Sequence, residues 1–216
     1  MLTDPSLIYL STIIPPILLG LAIWKSDKFP EPGKFLVASF LLGVSISFPL
    51  HLFIMIAEDH IAPLLGLDLN AITAWNEGAW KDDNAVYPAA ERTFMSFFRA
   101  AFLEEGIKFA ILLFFCVRLS ALNEPMDAIV YGVAASLGFA TYENYTYVYE
   151  WASTVAKEEN LDFLEFSYLV AKGRSYSAIP MHGLNGAVMG YYFGLYAFSG
   201  NKNYLALSLI LPYLFH

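Results

Sequence analysis

Charge is scarce in this sequence: only 15% of its 216 residues are Asp, Glu, Lys or Arg, whereas soluble domains carry roughly 25%. Because 57% of the residues are apolar, the chain has too little polar material to cover a globular surface. This composition excludes a soluble enzyme and an intrinsically disordered chain. The net charge of -8 also argues against nucleic acid as a partner.

Cysteine and the common metal motifs are nearly absent as well. The single cysteine, Cys116, excludes an internal disulfide and any CxxC-type metal or redox motif. The HExxH pattern of zinc proteases does not occur either. The class that remains is a membrane protein with several spans.

Long apolar runs are what the sequence has instead. Six runs approach the ~20 residues that a helix needs to cross a bilayer. They cover residues 6–24, 35–57, 93–117, 126–148, 177–198 and 203–216. We therefore expect an all-α membrane helix bundle with about six transmembrane helices in one domain, 1–216. The last run reaches the chain end, so we expect a truncated span there, with a short interfacial segment as the alternative.

Loop charges predict the orientation. Three short connections carry five basic residues, whereas the long loops 58–92 and 149–176 hold twelve of the twenty acidic residues. Basic residues in short loops favour the cytoplasmic side, and long loops are translocated largely regardless of charge. The N-terminus and both long loops are therefore expected outside.

Both long loops contain apolar stretches that predict short helices lying on the outer leaflet. Several aromatic residues of these loops are typical of a belt at the membrane interface. They are Trp75, Trp80, Tyr87 and Trp151.

Ionisable residues inside the predicted spans cost roughly 2.5–3.5 kcal/mol each and usually mark function. The residues concerned are Arg99, Glu104, Glu105 and Lys108 in the third span, Glu143 in the fourth, His182 in the fifth and His216 in the sixth. Lys108 lies within one helical turn of both adjacent glutamates and can neutralise one of them. This pairing leaves the second glutamate and Glu143 without a structural explanation. Two adjacent carboxylates in a low-dielectric environment repel each other and move their pKa values apart, which suits one of them to act as a general base.

The predicted depths of these groups are compatible. Helical rise places Glu143 and His182 roughly 8 Å below the outer interface and Glu104 about 16 Å below it. His216 lies about 20 Å above the inner end of its span. A run of glycines in the fifth span, Gly186, Gly190 and Gly194, predicts a close helix crossing near His182.

Two chemistries fit these side chains. In one, a carboxylate deprotonates water while imidazoles polarise a carbonyl or stabilise an oxyanion. In the other, Glu143, His182 and His216 hold a divalent metal such as zinc, and Glu104 or Glu105 is the base. The residues alone leave both open.

Four motifs, EEGIK, GFATYEN, PMHGLNGAVMG and PYLFH in this order, resemble the PrsW family of intramembrane proteases. That family is related to the CAAX prenyl-protease and bacteriocin-processing membrane peptidases. Its pattern is EExxK, then FxxxE, then one histidine in each of two later helices. The pattern falls on Glu104, Glu105 and Lys108, on Phe139 and Glu143, and on His182 and His216.

The resemblance implies a hydrolase, a site-1-type endopeptidase of bacterial cell membranes. Such enzymes cut single-pass membrane proteins, such as anti-sigma factors, near the outer surface. The family is described both as metalloproteases and as glutamate-type proteases. The expected partners are membrane lipid and a membrane protein substrate. Two other classes stay open: a proton- or cation-coupled transporter and a non-catalytic scaffold that binds partner helices.

Overall fold

The computed structural model describes residues 5–76 and 88–216, and every regular element in these ranges is helical. The α-helices are α1 (Pro5–Ser26), α2 (Gly33–Ser45), α3 (Ser47–Ile56), α4 (Ala62–Leu64), α5 (Leu69–Asn76), α6 (Ala89–Thr93), α7 (Leu103–Phe114), α8 (Pro125–Tyr145), α9 (Ala152–Glu158), α10 (Phe163–Tyr176), α11 (Ala178–Ser199) and α12 (Lys202–Phe215). Wider π-helical turns occupy Ala57–Ile61, Phe94–Phe102 and Thr146–Trp151, and a 3-10 turn occupies Cys116–Arg118. The expected all-α fold class is confirmed.

All six apolar runs are helical over most of their length. By length and apolar composition, one helical stretch among the described residues is able to cross a membrane: Gly33–Leu64, whose most apolar 18-residue window has a mean hydropathy of 2.1. The apolar part of α1, Leu10–Ser26, is shorter than a membrane span requires by this test. The later runs carry glycine, polar or charged residues, which lower their hydropathy. Six transmembrane helices therefore remain a prediction.

The chain divides into two compact units. The second unit comprises Phe48–Ile107, and its small core includes Ile72, Phe94 and Met95. Helices α4 and α5 occur where the first long loop is predicted to be helical. Within this unit, Arg99 Nε lies 2.7 Å from Glu58 Oε1, so this charge of the third run belongs to an ion pair. The side chains of Trp75, Trp80 and Tyr87 lie outside the described residues.

The first unit comprises Met1–Ser47 and Lys108–His216, and α8 is its central helix. Helix α8 packs against α11, α2 and α1, and most of its side chains are buried. At the crossing with α11, a Cβ added to Gly186 would lie 2.6 Å from the carbonyl oxygen of Gly132. A Cβ on Gly190 would likewise overlap the backbone of Ala128. The close helix crossing predicted from the glycine run is confirmed.

Helix α10 occupies the second long loop, where a short helix is expected. The Asp162 side chain caps it by accepting a hydrogen bond of 2.8 Å from the backbone N–H of Glu165. Leu164 of this helix packs against Ile8 and Val148. Part of its apolar face is thus covered by protein, and its place on the membrane surface remains a prediction.

Candidate active site

Lys108 is buried to 1% exposure on α7, where its charge needs a partner. Its Nζ lies 3.1 Å from Nδ1 of His182 on α11. The ammonium also lies 4.3 Å from the centre of the Phe139 ring, a distance that allows a cation–π interaction. An ammonium has donors only. Nδ1 of His182 is therefore the acceptor of this hydrogen bond.

The second ring nitrogen of His182 contacts a carboxylate. Nε2 lies 2.8 Å from Oε2 of Glu143 on α8. Since Nδ1 accepts from Lys108, the ring proton lies on Nε2, which donates to Glu143. The rings of Phe139 and His216 stand edge-on to His182, with centroids 5.7 and 5.9 Å away. The orientation and the tautomer of His182 are therefore fixed by its neighbours.

Arg174 near the end of α10 completes this arrangement. One of its terminal nitrogens donates to Glu143 Oε2 at 2.7 Å, and its Nε donates to Asn144 Oδ1 at 2.7 Å. The guanidinium also lies 4.3 Å from the centre of the Tyr147 ring. Sequence reasoning missed this residue because it lies in a long loop. The available signal was a pair of basic residues, Lys172 and Arg174, immediately before the fifth apolar run.

The predicted glutamate pair lies in the first turn of α7, immediately after the π-helical segment Phe94–Phe102. Glu104 precedes Lys108 by four residues, so both side chains project from the same face of this helix. Glu105 is fully buried. The structure thus brings together Lys108, Glu143 and His182, with His216 beside them. Both glutamates stand one helical turn from Lys108 on a shared helix.

The spacing of the motifs explains this placement. Phe139 and Glu143 are one turn apart on α8; the first supplies the ring beneath Lys108 and the second the carboxylate that faces His182. His182 precedes Gly186 by one turn on α11, and the glycine contact brings α11 against α8. The close crossing therefore positions the hydrogen bond between the two helices.

Asn185 lies three residues after His182 and is buried to 1% exposure. Neither its Oδ1 nor its Nδ2 has a hydrogen-bond partner among the described residues. Native proteins rarely leave such atoms unpaired.

The sequence matches a known family over residues 31–216: the PrsW family of intramembrane metalloproteases. The chain belongs to this family. The resemblance recognised from the four motifs is thereby confirmed. Since the family consists of intramembrane proteases, the prediction of a membrane hydrolase is confirmed at the level of the family.

Individual relatives of the PrsW family agree with this assignment. The chain is 31% identical to Protease PrsW of Clostridioides difficile over 71% of this chain and 61% of that protein. It is 30% identical to Protease PrsW of Geobacillus kaustophilus, over 92% of this chain and 71% of the relative. It is 29% identical to Protease PrsW of Bacillus subtilis, over 94% of this chain and 77% of the relative. The chain thus spans somewhat under two thirds of the first relative. No solved structure matches the chain significantly.

Proposed function

We propose that this PrsW-family protein hydrolyses a peptide bond in membrane-anchored protein substrates, near the outer face of a bacterial cell membrane. The single-pass, anti-sigma-factor-like substrates implied by the resemblance are the class we propose. The observation that carries the proposal is the chain of contacts Lys108–His182–Glu143–Arg174, in which the first two side chains are buried and the last two partly buried. Charged and imidazole groups from four helices meet there, as an acid–base site requires.

In the proposed mechanism, Glu104 takes a proton from a water molecule, and the resulting hydroxide attacks the carbonyl carbon of the scissile bond. Glu105 and Lys108 adjust the charge around this base. Glu143 and His182 orient the water through their fixed hydrogen bond, and His216 stabilises the oxyanion of the tetrahedral intermediate. When the intermediate collapses, the proton held by Glu104 passes to the leaving amine.

The family description names a metalloprotease, and the residues present fit a zinc ion. Glu143, His182 and His216 provide one carboxylate and two imidazoles, the donors typical of catalytic zinc. The engagement of His182 Nδ1 by Lys108 leaves Nε2, on the side of Glu143, as the nitrogen that would hold the ion. A bound zinc ion would act as a Lewis acid that acidifies a bound water. In that case Glu143, His182 and His216 would hold the ion instead of orienting the water and stabilising the oxyanion, and the base would be Glu104 or Glu105.

The membrane placement that we propose keeps six spans, with the N-terminus and the long loops outside. Exposed apolar side chains on α1 support it, because such a surface suits lipid rather than water. They are Leu10, Ile13, Ile14, Ile17, Leu18 and Leu21, at 38–60% exposure.

The proposal is tested with purified protein in proteoliposomes, by metal analysis and by cleavage of a membrane-tethered reporter. We expect cleavage by the wild type and its loss in His182→Ala, with His60→Ala, an exposed histidine, as the matched control. Stoichiometric zinc that is lost in His182→Ala indicates the metalloprotease, whereas cleavage that persists in strong chelator indicates the glutamate mechanism. Ion flux without cleavage identifies a transporter, and partner binding without cleavage identifies a scaffold. Either result overturns the proposal.

Arg174→Met is expected to lower reporter cleavage about 10–100-fold, the usual effect of removing a group that orients a functional residue. The variant keeps an unbranched apolar stem but leaves Glu143 without its guanidinium partner. Arg174→Lys should recover part of the loss, because it restores the charge but not the planar fork. Initial rates in proteoliposomes measure the effect. Lys172→Met, at an exposed position of the same helix, is the matched control, and equal rates for the two methionine variants would refute a positioning role.

A further inference from the structure

A second group of ionisable side chains lies at the opposite end of α8 from Glu143. The acidic cluster consists of Asp27 and Glu31 from the loop after α1, and Glu124 and Asp127 at the start of α8. Sixteen residues of helix separate Asp127 from Glu143, a rise of about 24 Å. The cluster is therefore separate from the candidate active site, and the proposed hydrolysis does not use it.

The carboxylates of the acidic cluster converge although they are largely buried. Oxygens of Asp27, Glu124 and Asp127 all lie within 4.8 Å of one another. Asp27 is 6% exposed, Glu31 3% and Asp127 fully buried. The fourth carboxylate, that of Glu31, accepts a hydrogen bond from the Tyr131 hydroxyl. Buried carboxylates this close repel one another unless a positive charge lies between them.

Two oxygens of the acidic cluster have no hydrogen-bond partner in the described part of the chain. Oδ2 of Asp27 and Oδ1 of Asp127 are both buried and unpaired. The other oxygen of each residue is held in place. Asp27 Oδ1 accepts from the Phe29 N–H at 3.0 Å, and Asp127 Oδ2 accepts from the backbone N–H groups of Asn123 and Glu124. Each carboxylate is thus held in place through one oxygen, and its other oxygen is left to bind a ligand.

The local electrostatics agree with a shortage of positive charge. Burial raises the pKa of Glu31 to about 6, and the charges of Asp127 and Asp27 contribute to the rise. Desolvation and the same two charges raise the pKa of Glu124, while Lys28 lowers it. Lys28 is exposed, and one ammonium cannot balance four carboxylates.

We propose that the acidic cluster binds one hard divalent cation, Mg²⁺ or Ca²⁺. Its donors are all oxygens, which these ions prefer, whereas zinc favours nitrogen and sulfur. The loop geometry suits such a site, because Trp24 Nε1 donates to the backbone oxygen of Glu31 at 2.8 Å and thereby fixes the loop. The ion joins the loop after α1 to the first turn of α8. It stabilises the central helix from the end opposite the active site.

The test is the thermal unfolding of the purified full chain in detergent. The protein is stripped with EDTA, dialysed, and titrated with MgCl₂ or CaCl₂. At a cation concentration 100-fold above the dissociation constant, we expect the midpoint to rise by about 5–10 °C, with one ion per chain by metal analysis. Asp27→Asn should abolish both effects, because the carboxylate charge is gone. The loop should keep its conformation, because the asparagine Oδ1 still accepts the hydrogen bond from the Phe29 N–H. Glu124→Gln is a second variant that leaves the Asp127 cap intact.

Glu158→Gln, an exposed glutamate of α9, is the matched control and should keep the full cation response. His182→Ala should also keep it, which separates this site from the proposed zinc ligands. A wild-type chain that shows neither a midpoint shift nor a bound ion overturns the proposal. It is overturned too if Asp27→Asn responds as the wild type does. It fails equally if only a lower pH stabilises the wild type, since the cluster then shares protons instead of a cation.

Discussion

Glu104→Ala is expected to lower the cleavage rate of a membrane-tethered reporter by about 10²–10⁴-fold, the usual contribution of a general base. Glu104 lies in the first turn of α7 and projects from the same helix face as Lys108, whose ammonium contacts His182. Removing this carboxylate removes the group that we propose takes the proton of the attacking water. The remaining side chains still orient a water molecule, so residual cleavage above the uncatalysed rate is expected. Single-turnover rates in proteoliposomes measure the loss.

Two further variants make this result specific to Glu104. Glu150→Gln, at an exposed position, should cleave at the wild-type rate. Glu104→Ala should also keep its thermal unfolding midpoint and any bound zinc, because Glu104 is not among the proposed ligands. His182→Ala should lose the zinc and the activity together. Cleavage by Glu104→Ala at the wild-type rate would end the assignment of Glu104 as the base.

Gly186→Ala is expected to destabilise the helix bundle by about 1–3 kcal/mol, the range for overpacking a filled core. Its new Cβ would lie 2.6 Å from the carbonyl oxygen of Gly132 and 2.7 Å from the Ser136 hydroxyl, so α8 and α11 must separate. Because His182 precedes Gly186 by one turn, the separation also lengthens its hydrogen bond to Glu143. Thermal unfolding in detergent should show a lower midpoint, and reporter cleavage should fall with it.

Gly173→Ala is the matched control for this prediction. Gly173 is also helical, on α10, but a Cβ there meets nothing within 4 Å. Alanine has the higher helix propensity by about 1 kcal/mol, so this variant should be as stable as the wild type or more so. If both alanine variants unfold at the same midpoint, the close approach of α8 and α11 does not limit stability.

The candidate site could be read from the sequence to the extent that local spacing determines it. The pattern EExxK places Glu104 and Lys108 on one helix face, and FxxxE does the same for Phe139 and Glu143, because a helix repeats every 3.6 residues. The glycine run around Gly186 likewise predicted a close crossing that the structure contains. These features depend on the periodicity of single helices, which the order of residues alone sets.

Other features depend on contacts between distant segments and had no local signal. Arg174 reaches Glu143 from a helix 31 positions further along the chain. The acidic cluster combines the loop after α1 with the start of α8, about 100 residues later. The contact between the Lys108 ammonium and His182, 74 positions further along the chain, also had no local signal. None of these pairings follows from spacing, because each depends on which helices pack together.

The amino-acid sequence by itself determined the all-α class, the helical positions of the apolar runs and the membership in the PrsW family. It could do so because composition, helical periodicity and motif spacing are local properties. Only the tertiary structure decided that Lys108 and Glu143 hold the two ring nitrogens of His182, and that Arg174 supports Glu143. The tertiary structure also places the carboxylates of Asp27 and Asp127 within 4.8 Å of each other. The physical reason is that burial and packing, rather than chain order, choose the partners of charged groups in a low-dielectric interior.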